Sequence, residues 1–189
     1  FNGLLGIHSL IIFIVLFYIN SINENNNLAH ILFYALLLNL IFLKFNFPKA
    51  QIFLGDSGAY LVGTFIAISV INTSQFNPSI SPFFFCVLLF YLFFEVFFSF
   101  FRKIFFTKQS PLLADNQHLH MFLYKFLLKK NNTKLNSNYS VSIYINLIYL
   151  LSIIPAIIFM KDGLFCRYYF FSLFIIYIYF YKVLYNKVK

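Results

Sequence analysis

Long apolar runs separated by short polar segments dominate this chain. A helix needs about 20 apolar residues to cross the hydrocarbon core of a bilayer, where each backbone polar group must bond within its own segment. Six runs approach this requirement: residues 4–22, 28–43, 59–71, 82–101, 142–160 and 168–185. The pattern predicts an all-α fold, a polytopic helical bundle with about six transmembrane helices and a single membrane domain over residues 1–189.

The third run is short, and a segment of this length is also compatible with a re-entrant loop. If all six runs cross, all but two of the 14 Lys and Arg residues fall on one side. The two exceptions are Lys161 and Arg167. Positively charged loops favour the cytoplasm, so the charge pattern favours six spans with both chain ends cytoplasmic.

Composition agrees with an integral membrane protein, because 61% of the residues are hydrophobic and only 10% are charged. The formal net charge of +9 alone is compatible with a nucleic-acid partner. Its carriers lie beside the apolar runs, however, where they orient the helices and meet anionic lipid headgroups. We therefore expect membrane lipid and no nucleic acid among the partners.

The first candidate site is the Gly55-Asp56-Ser57-Gly58 sequence, in a cytoplasmic loop predicted over residues 44–58. Glycines let backbone N–H groups approach a bulky anion, and a helix N-terminus favours negative charge. A carboxylate beside them is a ligand for Mg²⁺, so this segment suits a diphosphate. The alternative is structural: Asp56 or Ser57 caps the third span and the glycines form a turn.

The second candidate site is a polar stretch in the cytoplasmic basic loop predicted over residues 102–141, with Asp115, His118 and His120. Residues two apart do not share a helix face, so the two histidines converge only where the backbone is extended or irregular. Imidazole N–H groups there can bind phosphate oxygens. A transition-metal site is a weaker alternative, since no third His or Cys accompanies the pair. A solvated loop is the other alternative.

The third candidate site is Glu95, inside the fourth apolar run. Ser99 follows one helical turn later and Arg102 about two turns later, which places all three on one stripe of a helix. A carboxylate within the membrane is costly and by default faces a partner or a water-filled site. A Glu that reaches interfacial solvent or Arg102 is the alternative.

Four motifs occur in the same order as in a known family. They are Asn2-Gly3-Leu4, then Asn46-Phe47-Pro48 with Ile52-Phe53-Leu54-Gly55-Asp56-Ser57-Gly58, then Arg102-Lys103, and finally Ser110-Pro111 with Asp115 and His118-Leu119-His120. The chain thereby resembles the polyprenyl-phosphate N-acetylhexosamine-1-phosphate transferases of glycosyltransferase family 4. Two separated histidines instead of three consecutive ones resemble the branch that initiates lipid-linked glycans.

The resemblance implies transfer of an N-acetylhexosamine 1-phosphate from a UDP-N-acetylhexosamine to undecaprenyl phosphate, with release of UMP. This reaction is the first step of lipid-linked cell-surface glycan synthesis, such as lipopolysaccharide or teichoic acid. The implied cofactor is Mg²⁺, with Mn²⁺ as an alternative. The implied location is the bacterial inner membrane with the active face cytoplasmic, and a homodimer is a candidate assembly.

The resemblance also assigns roles to individual residues. Asp56 is carried over as the metal ligand, and His118 and His120 are carried over as catalytic binders of the diphosphate. The expected substrate-binding residues are Asn2, near the nucleotide-sugar, with Gly55, Gly58, Asp115 and Arg102. For Arg102, which ends a predicted span, the positive-inside bias alone is the favoured explanation.

The chain also departs from the family pattern. The adjacent aspartates expected near the start of the family's catalytic domain are absent, so we expect an N-terminally incomplete chain that is inactive by itself. Gln117 stands near the position of a usual arginine and cannot replace its charge. The alternative functions are a non-catalytic remnant and a transporter or membrane interaction protein that uses Glu95 and Asp56 as ion sites.

Overall fold

The computed structural model describes residues 1–108, 110, 113, 115–130 and 133–189. The helices are α1 (Leu4–Ile22), α2 (Asn26–Asn46), α3 (Gly55–Phe76), α4 (Pro82–Leu88), α5 (Phe90–Phe101), α6 (Leu119–Lys129), α7 (Lys134–Ile158) and α8 (Gly163–Val188). A π-helical segment, Arg102–Thr107, continues α5. Within the described residues, five helices are long and apolar enough to cross a membrane, and there are six such spans when the bent pair α4–α5 is counted as one. The prediction of an all-α bundle with about six spans is confirmed.

The third span is longer than the apolar run that predicted it. Residues 59–71 were expected, whereas α3 has 22 residues, enough to cross a bilayer. The run was cut short by polar residues that the helix accommodates. Thr73, for example, donates its hydroxyl to the Ser69 carbonyl at 2.7 Å. The helix therefore satisfies this polar group internally, and the re-entrant alternative has no support in its length.

The fourth predicted span, residues 82–101, is not one straight helix. It breaks at Leu89, and the two parts are bent by 75°. The Tyr149 hydroxyl donates a 2.6 Å hydrogen bond to the Leu88 carbonyl, next to the break. A side chain that inserts into the helical hydrogen-bond ladder is a recognised cause of a sharp kink. The apolar pattern could not reveal this contact, because Tyr149 comes from α7.

The two predicted loops are also shorter than expected. Between α2 and α3 only residues 47–54 are non-helical, so 44–58 was too wide. Residues 102–141 are not one loop, because they contain the π-helical segment, α6 and the start of α7. Their many Lys and Asn residues break the apolar pattern without preventing helix formation.

Polar side chains inside the bundle join neighbouring helices. The interhelical pairs are Asn20 to Thr73 between α1 and α3 at 2.8 Å, Asn39 to Ser9 between α2 and α1 at 2.8 Å, and His8 with Asn146 between α1 and α7 at 3.1 Å. Such contacts supply packing specificity where lipid gives no hydrophobic drive. These groups bond to one another, and α1 lies between the helices that they connect.

Both chain ends lie at one end of the bundle. The Asn2 backbone N–H donates to Asn138 at the start of α7. The Lys129 ammonium donates to the Val188 carbonyl at the end of α8. We call this the motif end, defined by residues 1–3, 46–56 and 115–120. At the opposite end, the Ser81 N–H donates to the Met160 carbonyl.

Candidate functional site

The Asn2-Gly3 turn is docked onto the connection between α2 and α3. The Gly3 N–H donates to the Asn46 side chain at 2.7 Å, and the Asn2 amide donates to the Pro48 carbonyl at 2.9 Å. Gly3 has a φ of 76°, and a Cβ there would lie 2.6 Å from the Phe47 ring. Only glycine fits this turn without strain. Two predicted motifs, at Asn2 and at Asn46, are thus joined by direct hydrogen bonds.

The same connection fixes the start of α3. The Asn46 side chain donates to the Ile52 carbonyl at 2.8 Å. Gly55 has a φ of 66°, a conformation that favours glycine, whereas Gly58 is constrained by packing. A Cβ at Gly58 would lie 2.8 Å from Leu54 Cγ. Gly55 is therefore favoured by its backbone conformation, whereas Gly58 is favoured by its close contact with Leu54.

Asp56 lies exposed in the first turn of α3. The helix N-cap is Leu54, and no side chain makes a capping hydrogen bond there. Capping by Asp56 or Ser57, the structural alternative, is therefore not observed. The carboxylate sits at the positive end of the helix dipole and is open to a ligand from solvent.

The histidine segment, residues 115–120, packs against α5 through Glu95. His118 Nδ1 lies 2.8 Å from Glu95 Oε2, and His120 Nδ1 lies 3.7 Å from the same oxygen. The two imidazole rings stack at 5.2 Å between centroids, with planes 6° apart. His118 is extended and immediately precedes α6, while His120 is in its first turn. The expected convergence in irregular backbone is thus confirmed.

Asp115 is held by α5 and the π-helical segment. Its carboxylate accepts hydrogen bonds from the Ser99 hydroxyl, the Arg102 guanidinium and the Gln117 N–H. Burial raises the pKa of Asp115, but these hydrogen bonds and the Arg102 charge outweigh it and hold the pKa below its ordinary value. Arg102 also donates to Gln117 Oε1 at 2.7 Å. Arg102 and Asp115 thus form an ion pair with each other. Contact of either residue with substrate remains a prediction.

The predicted stripe on α5 is confirmed. Glu95, Ser99 and Arg102 are all buried, and each contacts the segment from Asp115 to His118. Glu95 Oε1 is buried with no hydrogen-bond partner among the described residues. The histidine segment therefore packs against this stripe.

Two tyrosines that contact the histidine segment were not predicted from the sequence. The Tyr91 hydroxyl lies 3.5 Å from His120 Nδ1, and the Tyr181 hydroxyl donates to the Gln117 carbonyl at 2.9 Å. Tyr91 lies one turn before Glu95, so extending the stripe would have found it. Tyr181 gave no such signal, because α8 carries no motif. Of the predicted Ser110-Pro111 pair, Pro111 lies outside the described residues.

Phe1 connects the histidine segment to the chain start. Its ring packs edge-on against His120 at 5.2 Å and against Tyr124 at 5.4 Å. Asn2 follows directly and bonds the α2–α3 connection. All three candidate sites therefore lie at the motif end. Within the described residues, no hydrogen bond or ion pair joins Asp56 to the histidines.

The donor set at Asp56 fits one kind of cation site. Among the described residues, no group of three or more His, Cys, Asp or Glu side chains could hold a metal ion. Mg²⁺ is commonly bound by one or two carboxylates together with substrate phosphates and water. The exposed Asp56 carboxylate fits as one ligand of a cation that binds together with a diphosphate. It does not form a closed metal site.

Comparison with known proteins gives a partial match. The family model described as glycosyl transferase family 4 matches residues 1–74. Undecaprenyl-phosphate alpha-N-acetylglucosaminyl 1-phosphate transferase of Thermotoga maritima is 32% identical over 79 residues, which are 42% of this chain and 25% of that protein. The match thus spans a quarter of the relative's length. No solved structure matches the chain.

Proposed function

We propose that the protein is a membrane phosphoglycosyltransferase of glycosyl transferase family 4, because the model of that family matches residues 1–74. It transfers an N-acetylhexosamine 1-phosphate from a UDP-sugar to undecaprenyl phosphate and initiates a lipid-linked glycan. The name of the Thermotoga maritima relative supports the acceptor and the transferred group. The donor nucleotide and the initiating role rest on the motif resemblance.

The contact between Phe1 and His120 carries this proposal. Residues 1–74 match the family, whereas the histidine segment lies outside that match. The ring contact at 5.2 Å nevertheless places the histidine pair directly beside the family segment. Because the histidine pair and the exposed Asp56 carboxylate lie at the same end of the bundle, they can contribute to one site for a diphosphate.

The transfer balances as a single displacement at phosphorus. An oxygen of the acceptor phosphate bonds to the β-phosphorus of the UDP-sugar, and the bond from that phosphorus to the bridging oxygen breaks. UMP leaves with the α-phosphate. The N-terminus of α3 favours the negative charge of the diphosphate, and His118 and His120 donate hydrogen bonds to its oxygens. Glu95 holds His118 in place for this task.

Asp56 supplies the carboxylate ligand for Mg²⁺ or Mn²⁺ in this proposal. When bound, such a cation neutralises charge that develops on the phosphoryl oxygens. Asn2 positions the chain start next to Pro48 and so shapes the nucleotide-sugar side of the site. Gly55 has open space where a Cβ would lie, so the backbone at the α3 N-terminus is accessible to the diphosphate, and Gly58 lets Leu54 pack against the same turn.

The proposed orientation places the motif end in the cytoplasm of a bacterium, at its inner membrane. The many Lys and Arg residues of the connections at this end support it through the positive-inside bias. Lys161 and Arg167 lie near the opposite end. UDP-sugars are cytoplasmic, so this orientation gives the site access to its donor.

The test is transfer of labelled sugar phosphate from a panel of UDP-N-acetylhexosamines to undecaprenyl phosphate, in membranes that contain the full-length protein. We expect a lipid-linked product that requires Mg²⁺ or Mn²⁺. Asp56→Asn should reduce the rate about a hundredfold, because the ligand loses its charge. Glu24→Gln is the matched control, since it makes the same kind of change at an exposed turn at the other end of the bundle.

Product that forms without a divalent cation would contradict the metal role, as would equal rates in the Asp56 and Glu24 variants. The absence of product with every donor, from protein that is inserted in the membrane, would contradict the transferase proposal itself. That outcome would instead support a non-catalytic membrane protein.

A further inference from the structure

An apolar groove runs between α7 and α8. Its volume is about 470 Å³. The groove is lined mainly by side chains from α6, α7 and α8, among them Leu123, Phe126, Ile148, Leu173, Ile176 and Phe180. Several of these are exposed at the surface that faces lipid, including Ile148 and Ile176. The groove is therefore open toward the acyl chains of the bilayer.

The groove has defined ends. Away from the motif end, the Tyr169 hydroxyl donates to the Ser152 carbonyl at 2.7 Å and joins α8 to α7. At the motif end, α6 packs against both helices, and Leu123 and Phe126 of α6 line the groove. Tyr149 and Tyr91 line its inner wall. The groove, which we also call the slot, is thus closed at one end by the contact between α7 and α8 and is bordered by α6 at the other.

Two lysines stand at the motif end of this slot. Lys130 and Lys187 both line it, one from the end of α6 and the other from the end of α8. Their ammonium nitrogens lie 5.0 and 5.4 Å from the centroid of the same ring, that of Phe126. Lys129 holds the two helix ends together through its bond to the Val188 carbonyl. Two positive charges therefore meet at the mouth of an apolar slot.

We propose that this groove binds one anionic phospholipid of the surrounding bilayer. An acyl chain occupies the apolar slot, and the phosphate headgroup binds Lys130 and Lys187. The arrangement is complementary to such a lipid, because cations at a membrane surface attract anionic headgroups and an acyl chain makes van der Waals contacts with the apolar lining. The bound lipid fills the gap between α7 and α8. It thereby stabilises the packing of α6 on these two helices.

The position of the lysines distinguishes this lipid from the acceptor of the transfer reaction. They lie at the opposite end of α6 from His120. The helix has 11 residues, so it is about 16 Å long at 1.5 Å per residue. Reacting atoms must approach within about 3.5 Å. A phosphate at Lys130 is too far from the histidines to react, and the inference does not depend on the proposed function.

The test is native mass spectrometry of the full-length protein released from bilayers of equal phosphatidylglycerol and phosphatidylcholine. The lysine variant is Lys130→Gln with Lys187→Gln. Its matched control is Lys125→Gln with Lys182→Gln, which makes the same charge change on the same two helices at positions that do not line the groove. A second variant, Ile148→Phe, narrows the slot and leaves every lysine in place.

We expect one phosphatidylglycerol to stay bound to the unmodified protein and to the control. The lysine variant and Ile148→Phe should each retain at least fivefold less. Equal retention by the lysine variant and the control would show annular lipid only and overturn the proposal. Equal retention of phosphatidylcholine would overturn it too. Retention of added undecaprenyl phosphate in place of phosphatidylglycerol would overturn the choice of a bilayer phospholipid.

Discussion

At the scale of single residues, Glu95 matters most to the candidate site. Its carboxylate is buried, bonds His118 and lies near His120, so one side chain sets the position of both rings. A buried carboxylate is retained only where it has partners. We therefore infer that Glu95 is a positioning residue for the imidazoles, with no substrate contact of its own.

Glu95→Gln should lower kcat for sugar-phosphate transfer about tenfold and leave KM nearly unchanged, because the amide keeps an acceptor oxygen but loses the charge. Glu95→Leu should lower kcat about a hundredfold, as expected when a reacting group is misplaced by about 1 Å. Steady-state kinetics at saturating acceptor measure both values, with Glu24→Gln as the control. Equal kcat for the Gln and Leu variants would contradict a positioning role.

The residue-level account was partly predictable. The Glu95, Ser99 and Arg102 stripe follows from helical spacing, and so did the need for irregular backbone between the histidines. The pairing of Arg102 with Asp115 was not predictable, because it depends on how a later segment folds back onto α5. Residue spacing predicts which side chains share a face of one helix. It does not predict which other segment packs against that face.

At the scale of elements, the break between α4 and α5 shapes the candidate site. After the break, α5 runs along α8, as the contacts of Phe94 with Phe174 and of Phe98 with Tyr181 show. This path carries Glu95 and Arg102 under the histidine segment. The Tyr149 hydroxyl bonds the Leu88 carbonyl beside the break, so α7 contributes to the path of α5.

Tyr149→Phe should lower the free energy of unfolding by about 1 to 2 kcal/mol, since it removes a buried hydrogen bond between helices and leaves the Leu88 carbonyl without that donor. Reversible denaturation in mixed micelles measures the change. Tyr144→Phe, which removes the same hydroxyl from an exposed position on α7, is the control. A Tyr149 variant as stable as the Tyr144 variant would show that this hydrogen bond does not hold the break.

The apolar pattern predicted the number and order of the spans, because hydrophobic length is the dominant requirement for crossing a bilayer. Its boundaries were less accurate at α3, where polar residues continue the helix through Phe76. The apolar pattern also did not predict α6, because this helix is too short and too basic to qualify as a span. A helix that lies at the end of a bundle satisfies different conditions from one that crosses lipid.

At the scale of the whole molecule, the bundle gathers distant parts of the chain at the motif end. The Asn2-Gly3 turn, the α2–α3 connection and the histidine segment are far apart in sequence, yet a continuous set of contacts joins them. Interhelical polar pairs around α1 hold this arrangement from within. The central claim is that these parts form one site, of which only the first two lie within the family match.

The most direct measurement of that claim is the rate of lipid-linked product formation by His118→Asn and His120→Asn in the full-length protein. Both variants should be about a hundredfold slower than the unmodified protein, because each removes a donor to the diphosphate. His30→Asn, an exposed position on α2, should retain the full rate. If both loop variants match His30→Asn, the histidine segment is not part of the active site, and the account is wrong.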